Sequence, residues 1–267
     1  MRSLWCGLNA WRRLLQEWLA GAWPAPAREA PSPAVVARHT VRLGHSSVEL
    51  VVRGNERGGL RYLNLHENEQ TSVEAAAALL AHGAGTLIEL RSRRRRLVAF
   101  WIGWRPHVFD PNRIYTDAGL EQTLRQFASW TPAARAAVQA LRDAVLALID
   151  GAPDEPIVAL HNNGAGRYSI HAYELGGEHA ADALAVAVGS ARASEDFFLV
   201  TRRPLFEHLR ERGFNVVLQT ERPGDDGSLS VWFGRQRRAY VNVEALHGHL
   251  HEQQRMLEAV AAWRAAV

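Results

Sequence analysis

Apolar and polar positions switch repeatedly between two periods along the chain. Ser47–Arg53 and Leu60–Leu65 read as strands. Thr71–His82 repeats its apolar residues at helical spacing and is closed by Gly83. Thr86–Leu90 and Leu97–Ile102 read as a hairpin whose turn holds Arg93–Arg96. Thr131–Ile149 predicts a helix, with Thr131 as N-cap and Pro132 in the first position, where a missing N–H costs nothing. Ile157–Leu160 is a short apolar run, the mark of a buried strand. Phe197–Thr201, Pro204–Arg212 and Phe214–Thr220 predict a strand–helix–strand unit. Ala239–Val243 is a further strand, and a closing helix runs from about His249 to Ala265. This alternation predicts an α/β fold, with a central mixed, mostly parallel twisted sheet flanked by helices in a single domain over residues 39–267.

The first 38 residues follow another pattern. Leu4, Leu8, Trp11, Leu15 and Trp18 recur at helical spacing, with Arg12, Arg13, Gln16 and Glu17 between them. That predicts an amphipathic helix, and the charges interrupt any signal-peptide apolar region. Pro24, Pro26, Pro31 and Pro33 then mark a linker. The reading favours the cytoplasm over export. No stretch of 18 apolar residues predicts a transmembrane helix.

Composition narrows the chemistry. With 267 residues, 47% of them apolar, the chain can bury a large core. All 31 cations are arginine, and no lysine occurs. Lysine Schiff bases, a pyridoxal-phosphate anchor and a Walker A phosphate loop are therefore excluded. The net charge of +3 is spread among interleaved carboxylates, so no nucleic-acid partner is expected. The one dense run, Arg93–Arg96, reads as a solvated turn, with anion binding as the alternative. Cys6 is the only cysteine, so neither an intrachain disulfide nor a cysteine-based zinc finger can form.

In open α/β sheets, sites lie beyond the carboxyl ends of the strands. Three such ends carry ionisable residues: His66 and Glu69 after the second strand, His161 after Leu160, and Glu244 after Val243. Taken singly, either histidine reads as structural and Glu244 as a charge at a helix N-terminus. Taken together, two histidines and a glutamate form the ligand set of a catalytic zinc site. Asp110-Pro-Asn112-Arg113 reads as a turn, or as an Asn–Arg pair gripping a carboxylate. Tyr168 reads as packing rather than lining a pocket. His247, His249 and His251 read as solvated rather than as a second metal site.

The ordered set resembles the zinc carboxypeptidase superfamily, including its succinylglutamate desuccinylase–aspartoacylase branch. His66-Glu-Asn-Glu69 is similar to that branch's His-Gly-Asn-Glu. Asp110-Pro-Asn-Arg-Ile-Tyr115 is similar to its Asp-Leu-Asn-Arg-Ile-Phe, and Leu160-His-Asn-Asn163 to its Leu-His-Asn-Thr. Arg105 precedes Arg113 by the spacing of the branch's oxyanion arginine. Gly227-Ser228, Trp232, Tyr240 and Glu244 echo the carboxypeptidase branch. The resemblance spans roughly residues 45 to 265. Two features depart from it: no residues are left after the final helix for the aspartoacylase branch's C-terminal β domain, and residues 200–227 hold no tyrosine for the carboxypeptidases' mobile loop.

The resemblance implies one Zn²⁺ held by His66, Glu69 and His161, with Glu244 as the base acting on water. It implies Arg105 as the oxyanion donor, and Asn112 and Arg113 as the grip on a substrate carboxylate. The expected activity is hydrolysis of an amide beside a free carboxylate, carboxypeptidase-like, with cell-wall peptides among the substrates. The alternatives are an N-acyl amino acid deacylase of the aspartoacylase type and a non-catalytic zinc-binding protein of the same fold.

Overall fold

A computed structural model describes residues 33–55, 59–83, 85–189 and 192–266. The amphipathic helix expected near the N-terminus lies outside these residues. Eleven strands and six α-helices follow one another among them. β1 (Val35–Leu43), β2 (Ser46–Asn55) and β3 (Leu60–Asn64) lead into α1 (Gln70–Leu80) and β4 (Gly85–Arg91). β5 (Val98–Ile102) and β6 (Arg105–Phe109) are followed by a 3-10 turn at Pro111–Arg113, then α2 (Asp117–Gln126) and α3 (Pro132–Ile149). β7 (Ile157–Asn163), β8 (Ala183–Ala187), β9 (Phe197–Val200), α4 (Arg203–Glu211) and β10 (Asn215–Gln219) come next. The chain ends in α5 (Leu229–Arg235), β11 (Tyr240–Leu246) and α6 (Leu250–Ala266).

Nine strands form one mixed sheet in the order β1-β2-β4-β3-β7-β11-β9-β10-β8. Its middle, β4-β3-β7-β11, is parallel throughout, and β9 and β10 are parallel to each other. The pairs β1/β2, β2/β4, β11/β9 and β10/β8 are antiparallel.

Both faces of this sheet are covered, which is why β7 reads as a continuous apolar run rather than an alternation. Along β7, Ile157 and Ala159 enter one core, shared with α3 and α5, while Val158 and Leu160 enter the other, shared with α1, α4 and α6. α3 buries Ala134, Val138, Leu141, Val145 and Ile149, a stripe at helical spacing. Its N-terminus is capped as expected, with Thr131 Oγ1 accepting from Ala134 N at 3.0 Å. A fully buried valine or leucine on either face contributes roughly 1.5–3 kcal/mol.

The hairpin expected between Thr86–Leu90 and Leu97–Ile102 does not form. β4 is paired on one side with β2 and on the other with β3, so it has no free edge to offer. β5 instead pairs antiparallel with β6 as a separate two-stranded sheet, with Val98 opposite Phe109. The two strands differ in pattern. β4 is buried along most of its length, whereas β5 alternates buried and exposed residues, as a strand with one solvated face does. β1 begins at Val35 and pairs with β2, so residues 35–38 belong to the sheet rather than to a linker.

Candidate metal centre

β3 ends at Asn64, and the chain turns sharply before α1. His66 lies in that turn, and Glu69 is the residue preceding the first turn of α1. The turn is closed by Glu69 N donating to His66 O at 2.9 Å. His161 and Glu244 stand inside their strands, because β7 and β11 run on past the expected ends to Asn163 and Leu246. In the parallel ladder Glu244 is directly opposite His161. Successive side chains in a strand point to opposite faces. Leu160 and Val243 enter one core, so His161 and Glu244 both project to the other side.

His66, Glu69 and His161 are all buried, and one ligand atom from each lies within 4.8 Å of the others. His66 Nδ1 is 2.9 Å from Glu69 Oε1, and His161 Nδ1 is 3.0 Å from Glu69 Oε2. The imidazole rings lie 5.2 Å apart, centre to centre. His66 Nδ1 faces Glu69 Oε1 without making an aligned hydrogen bond, so this buried nitrogen is left to bind a cation. Zinc bond lengths of ~2.0–2.1 Å put tetrahedral ligand atoms roughly 3.4 Å apart. The imidazole–carboxylate pairs are already closer than this, so the residues fit a small divalent cation. The second nitrogen of His66 meets Asp110 Oδ1 at 2.9 Å, the arrangement that orients a metal-binding histidine and raises its basicity.

The charges of the cluster are mutually dependent. Burial works against the His66 imidazolium, and so does Arg96, but Glu69 and Asp110 outweigh them and raise its pKa. Burial would raise the Glu69 carboxyl, yet His66 and His161 hold it far below the usual range. Asp110 is half-buried, and against the upward push of desolvation His66, Arg96 and Arg113 hold its carboxyl far down. Glu244 goes the other way. Burial raises its pKa and the charge of Glu69 adds to the rise, against the opposing pull of His161, an Asn242 hydrogen bond and Arg96. Its two oxygens accept from Asn242 Nδ2 at 3.2 Å and Asn163 Nδ2 at 3.4 Å. Two carboxylates near one point thus have opposite tendencies, which separates a ligand from a proton acceptor.

Asn112 and Arg113 sit in the 3-10 turn after β6. Asp110 caps that turn by accepting from Asn112 N at 2.8 Å. Arg113 is 38% exposed and 3.4 Å from Asp226 Oδ2. Burial raises the pKa of Tyr168 and Tyr240, the charge of Glu244 adds to the rise, and that of Arg113 opposes it. Tyr168 packs on Phe197, as expected, and also shares a hydroxyl contact of 2.5 Å with Tyr173.

Arg105 is not brought to this cluster. It stands next to the β5–β6 turn, paired with Ile102, and is exposed. Asp110 lies five extended steps further along, roughly 16 Å of chain, more than its side chain can span. The arginine at the centre is Arg96, from the run expected to be a solvated turn. Its Nη1 is 2.6 Å from Glu69 Oε1 and its Nη2 is 3.8 Å from Asp110 Oδ2. Nothing in the sequence separates Arg96 from its three neighbours. Asp110 did carry a signal, as the first residue of the Asp-x-Asn-Arg pattern. Among the other late histidines, His249 pairs with Asp196 at 2.8 Å and His251 is exposed. No second group of metal-ligating side chains occurs among the described residues.

No family model and no curated protein matches the chain. Among solved structures the chain is similar to an aspartoacylase family protein from Mesorhizobium loti MAFF303099, at 13% identity and a TM-score of 0.44, over 87% of this chain and 68% of that one. It is also similar to a provisionally named metallopeptidase from Shewanella baltica OS155, at 12% identity and a TM-score of 0.40, over 95% of this chain and 91% of that one.

Proposed function

We propose that the protein is a zinc-dependent hydrolase that cuts an amide bond next to a free carboxylate, in the manner of a carboxypeptidase. One observation carries this reading: a buried His66–Glu69–His161 cluster stands beside a buried glutamate, Glu244, whose proton affinity is raised. A zinc ion held by His66, Glu69 and His161 would supply Lewis acidity toward the scissile carbonyl and the attacking water.

The remaining work falls to side chains. Glu244 accepts a proton from water at a carboxylate oxygen and delivers it to the departing amine. Its raised pKa moves it in the direction that suits both steps, since a stronger base takes the proton from water more readily. Arg113, with Asn112 beside it, grips the substrate carboxylate and so sets which amide reaches Glu244. Arg96 is the cation that meets negative charge developing on the carbonyl oxygen, the task expected of Arg105. A preorganised donor of this kind is worth about 3 kcal/mol.

The test combines metal analysis with hydrolysis of N-acylated dipeptides and N-acetyl amino acids bearing free carboxylates. One equivalent of zinc, turnover of the dipeptides, and its loss in Glu244→Gln support the proposal. Preference for N-acetyl amino acids assigns the deacylase activity instead. Stoichiometric zinc without turnover of any such amide assigns a binding protein.

A further inference from the structure

Glu67 lies in the same turn as His66 and Glu69, yet its carboxylate takes no place in the ligand cluster. It is buried and turns toward the loop between β4 and β5. Its Oε2 accepts from two backbone groups, Ser92 N at 2.5 Å and Arg94 N at 2.6 Å, and its Oε1 is 3.4 Å from Arg91 Nη1. Arg91 also pairs with Glu89 at 2.5 Å, and Glu89 with Arg53 at 2.7 Å, so the anchor is tied into β2 and β4. Across and just after the two anchored amides, Arg93 and Arg94 have φ of 68° and 57°. Residues with side chains hold that left-handed conformation only where the surroundings impose it. Two residues further on, Arg96 returns to the turn and places Nη1 on Glu69 Oε1. The turn that carries two ligands thus also carries the anchor of the loop that sends a cation back to one of them.

We propose that Glu67 is a positioning residue that fastens the 92–96 loop, and that Arg96, held in this way on Glu69, lowers the affinity of the centre for its metal. The inference rests on the metal-centre reading above. A guanidinium on Glu69 Oε1 draws charge from a ligand carboxylate and repels a second cation nearby, most of all at the Glu69 end of the pair, which is buried while Arg96 is half-exposed. The Glu67 carboxylate is spent on Ser92 N, Arg94 N and Arg91, so its influence on the metal passes through the loop.

The experiment is zinc affinity of the full chain, read by competition with a fluorescent chelator. Arg96→Gln is expected to lower the zinc Kd about tenfold. Glu67→Ala is expected to lower it similarly, and the double variant no further than either alone, because both remove the same cation from Glu69. Glu67→Gln keeps an acceptor oxygen for the two amides and should stay near the wild-type Kd. Where Glu67→Ala does not fold, Ser92→Pro deletes one of the anchored N–H groups and should shift the Kd in the same direction. Thermal denaturation of the metal-free variants establishes that each is folded. An unchanged Kd in Glu67→Ala, additive effects, or weaker zinc binding in either variant overturns the proposal. Turnover is not needed for this readout. A wild-type chain that binds no zinc overturns the metal-centre reading as well, whereas wild-type zinc binding that Glu67→Ala leaves unaltered overturns this proposal alone.

Discussion

Glu244 on β11 stands directly opposite His161 on β7 in a parallel ladder, and both side chains leave the sheet on the same face. Two residues 83 positions apart are thereby fixed by backbone hydrogen bonds alone, before any side chain chooses a rotamer. An imidazole and a carboxyl held on adjacent strands cannot drift apart without breaking the middle of the sheet.

Replacing Glu244 by glutamine should remove the base and leave the ligand set intact. Turnover is expected to fall by about 10²–10⁴-fold with zinc stoichiometry unchanged. The same change should stabilise the metal-free fold at neutral pH. The folded pKa of Glu244 lies above its unfolded value, so the fold is penalised wherever the unfolded carboxyl is ionised. The gain in melting temperature should therefore be present at pH 7 and vanish below the ordinary carboxylate range. Melting curves at the two pH values check this.

The pH profile of kcat/KM should show an acid limb above the usual glutamate pKa, because the base must be deprotonated and burial resists this. Asn242 Nδ2 donates to Glu244 Oε1 at 3.2 Å and favours the ionised form. Asn242→Ala should move the acid limb to higher pH. A limb that stays in place would remove Asn242 from this role.

Asp110 holds the far nitrogen of His66 at 2.9 Å. Asp110→Asn should weaken zinc binding about 10–100-fold, the usual effect of losing such a partner. A stripped protein should also melt at a lower temperature than the zinc-loaded one, since a ligand that binds only the folded state stabilises it. Equilibrium dialysis and melting curves read both effects.

Arg113 and Arg105 should separate cleanly. Arg113→Lys keeps the charge but loses the planar fork, so KM should rise tenfold or more, about 1.4 kcal/mol of binding. Arg105 is exposed on its hairpin, and Arg105→Ala should leave both kcat and KM unchanged. Steady-state kinetics of the two variants on one substrate make the comparison.

Gly227 should tolerate no side chain. Its φ is 78°, and a Cβ there would meet Arg113 O at 2.4 Å and Gly119 Cα at 2.7 Å. Its own carbonyl accepts from Tyr115 N at 2.9 Å. Gly227→Ala should push the 225–228 loop off the Arg113 turn, lower the melting temperature and raise KM together.

The sequence by itself determined much of this protein. Periodicity located the strands that carry His161 and Glu244, because a sheet buried on both faces demands strands as apolar as 157–160 and, but for Asn242, 239–243. The Thr131 cap and Pro132 start of α3 were legible because capping is local chemistry. The pattern of His66, Glu69, Asp110, Asn112, Arg113, His161 and Glu244 could be read because each follows an apolar segment or lies in a turn with its own spacing. Only the tertiary structure decided which arginine serves the centre. Arg93 to Arg96 are alike in sequence, and the choice of Arg96 depends on Glu67 anchoring two amides of their loop. Arg105 held the expected spacing, but spacing along a strand does not say which way the strand points. β4 had both edges taken by β2 and β3, so β5 turned to β6 and carried Arg105 out into solvent. Strand pairing is a contest among distant segments for unsatisfied backbone groups, and a local reading of the chain cannot score it.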